Sequence, residues 1–398
     1  MSANTLERTM IPVAKPVIGD AELEAVRRPL STGWLTQGPE VAAFEREFAA
    51  FVGAPHACAV SNCTTALHLA LRAAGVRPGD EVITVSHSFI ATANAIRYCG
   101  AVPVFVDVQP DTYNIDPARI DAALSPRTRA LLVVHQLGMP CDLAAIVDRA
   151  RRHGVPVIED AACAAGSEIL WQGRWERIGR PHGDIACFSF HPRKVMTTGD
   201  GGMLTTASPE FDRQFRLWRQ HSMSVSDTAR HASRQVVVEE YSELGFNYRM
   251  TDLQAAIGRV QLERLPSMIE RRRALAQTYL SRLGAIPGLR LPAEPAWARS
   301  NWQSFCVRMP AGCDRVGVMQ SMLDAGISTR RGVMCAHTEP AYRLEAWRTP
   351  RRDGGLGVGE SITADGLILP LYDAMSDADQ SRVVASLEHA LAQKDPRV

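Results

Sequence analysis

Through residue 262, short runs of apolar and β-branched residues alternate with segments whose apolar positions recur at helical spacing. "HACAVS" (56–61) reads as a strand, and "TTALHLALRAAG" (64–75) follows it. In that second segment Leu67, Ala70, Leu71 and Ala74 share one helical face, and Gly75 stands where a helix would end. "DEVITV" (80–85) and "IATANAIRYCG" (90–100) repeat the pair, and "VPVFVDV" (102–108), "RALLVVH" (129–135), "VPVIED" (155–160) and "DIACFSF" (184–190) continue the strand series. Several of these runs are almost continuously apolar, as strands are when helices cover both faces of their sheet. The alternation predicts an α/β fold with a mostly parallel sheet flanked by helices. In such sheets ligands bind in the crevice beyond the strands' C-terminal ends. The polar residues just past these strands are therefore expected to carry the chemistry.

The rhythm breaks after residue 262. "LERLPSMIERRRALAQTYLSRLGAIPG" predicts a long helix entered at Pro266 and ended near Gly284, with the "ERRRALAQ" run (270–277) on a solvated face. The remainder predicts a smaller C-terminal α+β domain. It has a strand near "WQSFCVRM" (302–309), a helix over "RVGVMQSMLDAG" (315–326) and a final helix after "SDAD" (376–379), with Ser376 and Asp379 as a capping pair. The expected division is a large cofactor-binding domain over 1–262 and a small domain over 263–398. No repeat or low-complexity segment interrupts it.

At the strand ends, "SNCTTAL" sets Ser61, Thr64 and Thr65 around a helix start, where unpaired backbone N–H groups favour an anion. The same residues also suit an ordinary helix cap. "SHSFIATAN" places His87 and Phe89 at the crevice edge, and Phe89 could stack on a flat ring or pack in the core. Glu159 and Asp160 end the next strand, where buried acids are costly unless paired or solvated; one of them could face a cation, such as a protonated ring nitrogen or a metal, or serve as a buried helix cap. The following "AACAAGS" offers no further metal ligands, so no metal is expected. In "CFSFHPRKVMTTGDGGML" (187–204), Ser189 can hold a phosphate, Lys194 supplies an amine, and glycines 199, 201 and 202 allow tight turns and close approach. There is no G-x-G-x-x-G and no Walker A lysine. Phosphate cradle, ring stacker, acid and amine at one edge together suit pyridoxal 5'-phosphate, cycling with pyridoxamine 5'-phosphate. A lysine can bond to the cofactor's aldehyde while an acid keeps its ring nitrogen protonated.

Composition narrows the alternatives. The 398 residues are 46% hydrophobic and 22% charged, with Lys plus Arg 44 against Asp plus Glu 43, a net charge of +1 that gives no broad field for nucleic acid or an anionic membrane. The nine cysteines are scattered, with no Cys-x-x-Cys pair, which argues against a disulfide framework or a zinc site. The N-terminal stretch to Asp20 has no signal-like apolar core, and no run is long enough to span a bilayer, so a cytoplasmic protein is expected.

The chain also resembles the DegT/StrS-type sugar aminotransferases, within the fold-type I pyridoxal-phosphate enzymes. The resemblance rests on "GWLTQGPEVAAFEREFAAFVGA" (33–54), "SNCTTALHLAL", "SFIATANAIRYCGAVPVFVDV", "VIEDAACAAGS", "CFSFHPRKVMTTGDGG", "LGFNYRMTDLQAAIGRVQL" (244–262) and "GISTRRGVMCAH" (326–337), in that order. It implies that Lys194 carries the cofactor, Asp160 faces the ring nitrogen, Thr64, Thr65 and Ser189 hold the phosphate, and Phe89 stacks on the ring. It further implies that Asn247 reaches the neighbouring subunit's cofactor, making the protein a homodimer with shared active sites. Cys163 stands where many relatives have a glutamine that hydrogen-bonds the ring hydroxyl, and Cys63 where glycine is common. A few relatives have histidine in place of the lysine and dehydrate sugars; this chain keeps Lys194.

The implied reaction moves an amino group from an amino acid, with glutamate the expected donor, to a nucleotide-linked keto-6-deoxysugar. Trp34, His191, Arg249, Arg330 and His337 are candidate substrate contacts. Lys194 must then be neutral part of the time, which a partly desolvated cleft favours. Three other readings use the same residues differently: a cyclitol (keto-inositol) aminotransferase, a cofactor- or sugar-binding regulatory protein without turnover, and a desulfurase using Cys163 or Cys187.

Overall fold

The computed structural model describes residues 10–350 and 355–392; part of the N-terminal stretch read above for an export signal lies outside these residues. Nine strands fall in the first part of the chain: β1 (His56–Val60), β2 (Glu81–Val85), β3 (Val102–Val106), β4 (Thr128–Val134), β5 (Val157–Asp160), β6 (Glu168–Trp171), β7 (Arg174–Arg177), β8 (Ile185–Ser189) and β9 (Gly202–Thr206). Seven of them form one sheet in the order β1-β9-β8-β5-β4-β2-β3. Strands β3, β2, β4, β5 and β8 run parallel to their neighbours in that series, and β9 runs antiparallel to both β8 and β1. All six strands read from the pattern are present. The seventh, β9, was not anticipated, because "GMLTT" is short, has only two bulky apolar residues and directly follows a glycine-rich turn. It is nonetheless buried throughout.

One apolar layer packs Phe44, Phe48, Phe188, Phe190 and Leu265 against the sheet, and the other packs Leu67, Leu71, Ile96, Phe215 and Trp218 against the opposite face. This double covering is why the central strands carry no polar alternation.

The long helix differs from expectation. It runs unbroken from Asp252 to Leu283, so Pro266 lies inside it and does not start it. The start is fixed instead by Thr251, whose hydroxyl accepts from the Gln254 N–H at 3.2 Å, while Gln254 Oε1 accepts from the Thr251 N–H at 3.0 Å. The expected division after residue 262 thus falls within a continuous helix. "ERRRALAQ" is not wholly solvated either: Arg272 is buried and donates to the carbonyls of Trp302, Gln303 and Leu371, each at 3.2 Å.

Beyond that helix, β10 (Ala298–Arg299) joins the β6–β7 hairpin, while β11 (Phe305–Arg308), β13 (Gly366–Leu369) and β12 (Arg330–Arg331) form a small antiparallel sheet in that order. Helices Arg315–Asp324 and Asp377–Ala392 cover it around Tyr279, Phe305, Leu369 and Leu387. Ser376 and Asp379 cap the last helix as expected, the Asp379 N–H reaching Ser376 Oγ at 3.0 Å. Among the described residues no helix is long and apolar enough to cross a membrane.

Asp252 ties the long helix to the start of another. Buried, it accepts from the backbone N–H groups of Gly38 (2.8 Å), Val41 (3.0 Å) and Glu40 (3.2 Å), so a distant carboxylate caps helix Pro39–Val52, which has no side-chain cap of its own. Asp252→Ala is expected to cost about 2–4 kcal/mol of stability. Denaturant unfolding of the variant against wild type measures this.

Candidate active site

The register sets the ends of three strands level at one edge: Gly202 opens β9 opposite Ser189 of β8 on one side and Val60 of β1 on the other. Past β1 the chain enters helix Cys63–Ala73, whose cap is Asn62, not a threonine. Asn62 Oδ1 accepts from the Thr65 N–H at 2.9 Å, and the Thr65 hydroxyl turns back to the Asn62 carbonyl at 2.7 Å. That occupies the Thr65 hydroxyl, while the Thr64 hydroxyl has no hydrogen bond among the described residues. Gly202 permits this arrangement: a Cβ there would stand 2.5 Å from the Asn62 carbonyl carbon. The close approach that the glycine allows is thus between β9 and the cap. Ser189 is buried at the end of β8, with the His191 N–H 3.4 Å from its hydroxyl.

The two acids at the end of β5 separate. Glu159 points to the far face, where His135 Nε2 lies 2.9 Å away and the Gly183 N–H donates at 3.1 Å. The N–H of Cys141 donates to His135 Nδ1 at 3.1 Å, which leaves Nε2 as the proton donor to Glu159. Asp160 faces the crevice. It accepts from Thr92 Oγ1 at 2.7 Å and from the Ala162 N–H at 3.2 Å. Thr92 is itself 2.8 Å from Ser88 Oγ. Burial pushes the Asp160 carboxyl up, against these donors and the charge of Lys194. A buried carboxylate so placed is completed by a cation. Thr92 was missed in the sequence, where it reads only as a helical position two residues after an apolar one.

Lys194 sits on the turn after β8, its N–H bonded to the His191 carbonyl at 2.8 Å. Its Nζ donates to Cys163 Sγ at 3.1 Å. Burial works against a charged amine here, but the sulfurs of Cys163 and Cys63 and the Asp160 carboxyl outweigh it, and Lys194 is held above the ordinary lysine range. The expectation that desolvation would favour the neutral amine is therefore reversed by its neighbours.

Two further residues escaped the sequence reading, and both come from the segment before β11. Asn301 Nδ2 donates to the carbonyls of Cys163 and Ala165, each at 2.9 Å, and Gln303 Nε2 donates to the Arg193 carbonyl at 3.0 Å. They brace the turns that carry Cys163 and Lys194. The only sequence signal was the unusual polarity of "SNWQS" ahead of a strand.

The remaining expected residues are less convergent. Phe89 is 59% exposed immediately before helix Ala91–Tyr98, presenting its ring at the edge. Asn247 is exposed and bridges to Gln220, away from Lys194's turn. Its neighbour Tyr248 accepts from the Ser61 N–H at 2.8 Å through its carbonyl and lies 3.1 Å from His68 Nδ1 through its hydroxyl, fastening this loop to the helix that begins at Cys63. Arg249 forms a bridge with Val60 at the same edge. Trp34 donates from Nε1 to the Gln37 carbonyl at 3.1 Å and packs edge-on to His231. His191 Nδ1 accepts from the Arg193 N–H at 3.2 Å. Arg330 is exposed on β12, and His337 is held between Ser86 Oγ (2.6 Å) and Glu360 Oε1 (3.0 Å). Cys187 is fully buried and its thiol is pushed well up by that burial, which removes it as a nucleophile.

Thr92→Val removes a hydroxyl donor without changing shape and leaves Asp160 Oδ2 under-bonded. It is expected to lower stability by about 1–3 kcal/mol, with Thr92→Ser recovering most of the loss; urea unfolding decides it.

The model of the DegT/DnrJ/EryC1/StrS aminotransferase family matches residues 16–388. The spore coat polysaccharide biosynthesis protein SpsC of Bacillus subtilis (strain 168) is 39% identical over 381 residues, 95% of this chain and 96% of that one. Among solved structures, the aminotransferase TlmJ from Streptoalloteichus hindustanus superposes with a TM-score of 0.86 at 37% identity, covering 96% of this chain and 99% of TlmJ. S. venezuelae DesV, solved in complex with a ketimine intermediate, gives a TM-score of 0.85 at 34% identity over 97% of this chain and 100% of DesV. The large sheet is that of the fold-type I aminotransferases. Matched along nearly its whole length, the chain belongs to the DegT/DnrJ/EryC1/StrS family of pyridoxal-phosphate-dependent aminotransferases.

Proposed function

We propose that Lys194 is the covalent anchor of pyridoxal phosphate and the proton-moving base of a sugar aminotransferase. The observation that carries this is the placement of Lys194 and a buried, cation-seeking Asp160 at one sheet edge, beside a helix N-terminus with an uncommitted threonine. These groups fit the cofactor. When bound, it supplies an aldehyde carbon for amine exchange and a ring that withdraws electrons from it. Asp160, oriented by Thr92, keeps a proton on the ring nitrogen. Phe89 covers the ring face. Thr64, Ser189 and the N–H groups at the start of helix Cys63–Ala73 take the phosphate, while Thr65 shapes that turn. Lys194 carries the proton between the donor's α-carbon and the cofactor, and returns it to the acceptor carbon.

The amino group goes from an amino acid, glutamate in our reading, to a nucleotide-linked keto-6-deoxysugar, with Trp34, His191, Arg249, Arg330 and His337 as candidate contacts. Relatives named for polysaccharide biosynthesis and aminotransfer support this acceptor class, and nothing favours a cyclitol substrate or a binding protein without turnover. The enzyme works as a cytoplasmic homodimer, with a large domain over 1–262, a small one over 263–398 and Asn247 serving the partner's site. Support for the dimer comes from the segment leading to Asn247, where Val236 (94% exposed), Val238 (81%), Leu244 (75%) and Tyr241 (60%) present apolar surface.

Purified protein mixed with pyridoxal phosphate is expected to develop the visible absorbance of a lysine-bound cofactor, lose it on adding glutamate, and show neither change in Lys194→Ala. No such absorbance in wild type would overturn the assignment. For the shared site, Lys194→Ala and Asn247→Ala are each expected to be inactive or nearly so. Mixing and re-assembling them should restore activity, because one site of the mixed dimer regains both residues; mixtures as inactive as their parents would rule out sharing.

A further inference from the structure

The Lys194–Cys163 contact carries a consequence for the base itself, resting on the reading above. Every turnover frees the lysine amine from the cofactor, and the free amine must then rest near the reacting carbon with its lone pair recoverable. In this structure its resting place is built: Nζ donates to Cys163 Sγ at 3.1 Å. Cys163 belongs to a tight turn after β5, in which the Ala164 N–H bonds the Ala161 carbonyl at 2.9 Å and the Ser167 N–H bonds the Ala164 carbonyl at 3.0 Å. Asn301 holds the Cys163 carbonyl, and Gln303 holds the carbonyl of Arg193, the residue before the lysine. One short segment thus fixes both ends of the contact, and the separation of sulfur and amine follows from backbone geometry.

We propose that Cys163 is a positioning residue which receives the Lys194 amine whenever it is off the cofactor and sets the pH at which that amine becomes a base. This differs from the ring-hydroxyl role that its place in the sequence suggested. The titratable and charged groups around the amine are Cys163, Cys63 and Asp160, with His191 and Arg193 on the lysine's own turn. Burial favours the neutral amine; the sulfur contact and Asp160 favour the ammonium, and together they prevail. Removing the Cys163 sulfur leaves burial, Cys63 and Asp160 in place, so the free amine should lose its proton at lower pH. A serine hydroxyl can accept the same hydrogen bond but carries none of the sulfur's charge, the larger of its two effects, so Cys163→Ser should shift the amine in the same direction but less far.

The test uses the cofactor-free protein mixed with pyridoxal phosphate across a pH series, following the rate of covalent attachment by visible absorbance. Only the neutral amine attacks, so the rate rises with pH to a plateau whose midpoint reports Lys194. We expect the midpoint to move to lower pH in Cys163→Ala and less far in Cys163→Ser, with the acid limb of the glutamate half-reaction moving the same way. Cys163→Val, which keeps the side-chain volume, serves if the alanine variant does not fold. An unmoved midpoint in the apolar variant, or a serine variant that behaves like alanine, overturns the proposal. Wild type that attaches no cofactor refutes the functional reading instead, so the two failures are distinct.

Discussion

The demand that a carboxylate be buried at a strand end, and still be satisfied, organises the crevice. Taking one charge out of water costs on the order of several kcal/mol. At Asp160 that cost is met only in part, by one hydroxyl and one backbone N–H. The hydroxyl comes from Thr92 in helix Ala91–Tyr98, which follows directly on Phe89 and Ser88. Phe89 and Thr92, the residue that orients Asp160, are therefore separated by less than one helical turn. Glu159, one position earlier, meets the same demand differently, with the His135 imidazole and the Gly183 N–H on the opposite face. Adjacent acids on one strand thereby acquire different fates: one is closed, the other open to a ligand.

Around that centre the chain uses distant polar side chains to hold backbone that local sequence leaves under-bonded. Asp252 caps a helix that begins more than two hundred residues earlier in the chain. Asn301 and Gln303 secure turns of the large sheet from outside it. Arg272 gathers three carbonyls at the joint between the long helix and the C-terminal sheet. Asp252, Asn301 and Gln303 are polar groups with their partners found, the condition under which burial does not destabilise, whereas Arg272 keeps Nε without a partner among the described residues.

What the sequence disclosed follows from the range of each interaction. Strands β1, β2, β3, β4, β5 and β8 announce themselves because a doubly covered strand must be apolar at every position, a purely local requirement. The edge bearing Lys194, Asp160, Ser189 and Thr64 followed from strand direction alone. β9 went unseen because its burial comes from being flanked by β1 and β8, which no window of five residues records. Pro266 misled because a proline favours a helix start, while the Thr251–Gln254 cap that sets the start lay in a stretch read for its polar motif. Thr92, Asn301 and Gln303 are ordinary polar residues whose roles arise from partners far along the chain. The contact of Cys163 with the lysine amine likewise depends on where two turns are held relative to each other.

The bracing by Asn301 and Gln303 also bears on how this architecture can vary. The C-terminal unit supplies side chains to the turn after β5 and to the turn after β8, and β10 extends the β6–β7 hairpin. It is thus part of the chassis of the crevice, not an accessory docked beside it. Exchanging the unit between relatives, or cutting the chain after the long helix, would remove the bonds that hold the two turns and those that Arg348 makes to β3. In this fold, modularity does not stop at the long helix: Asn301 and Gln303, and beyond them His337 and Arg348, which reach Ser86 and Glu81, must travel with the sheet they steady.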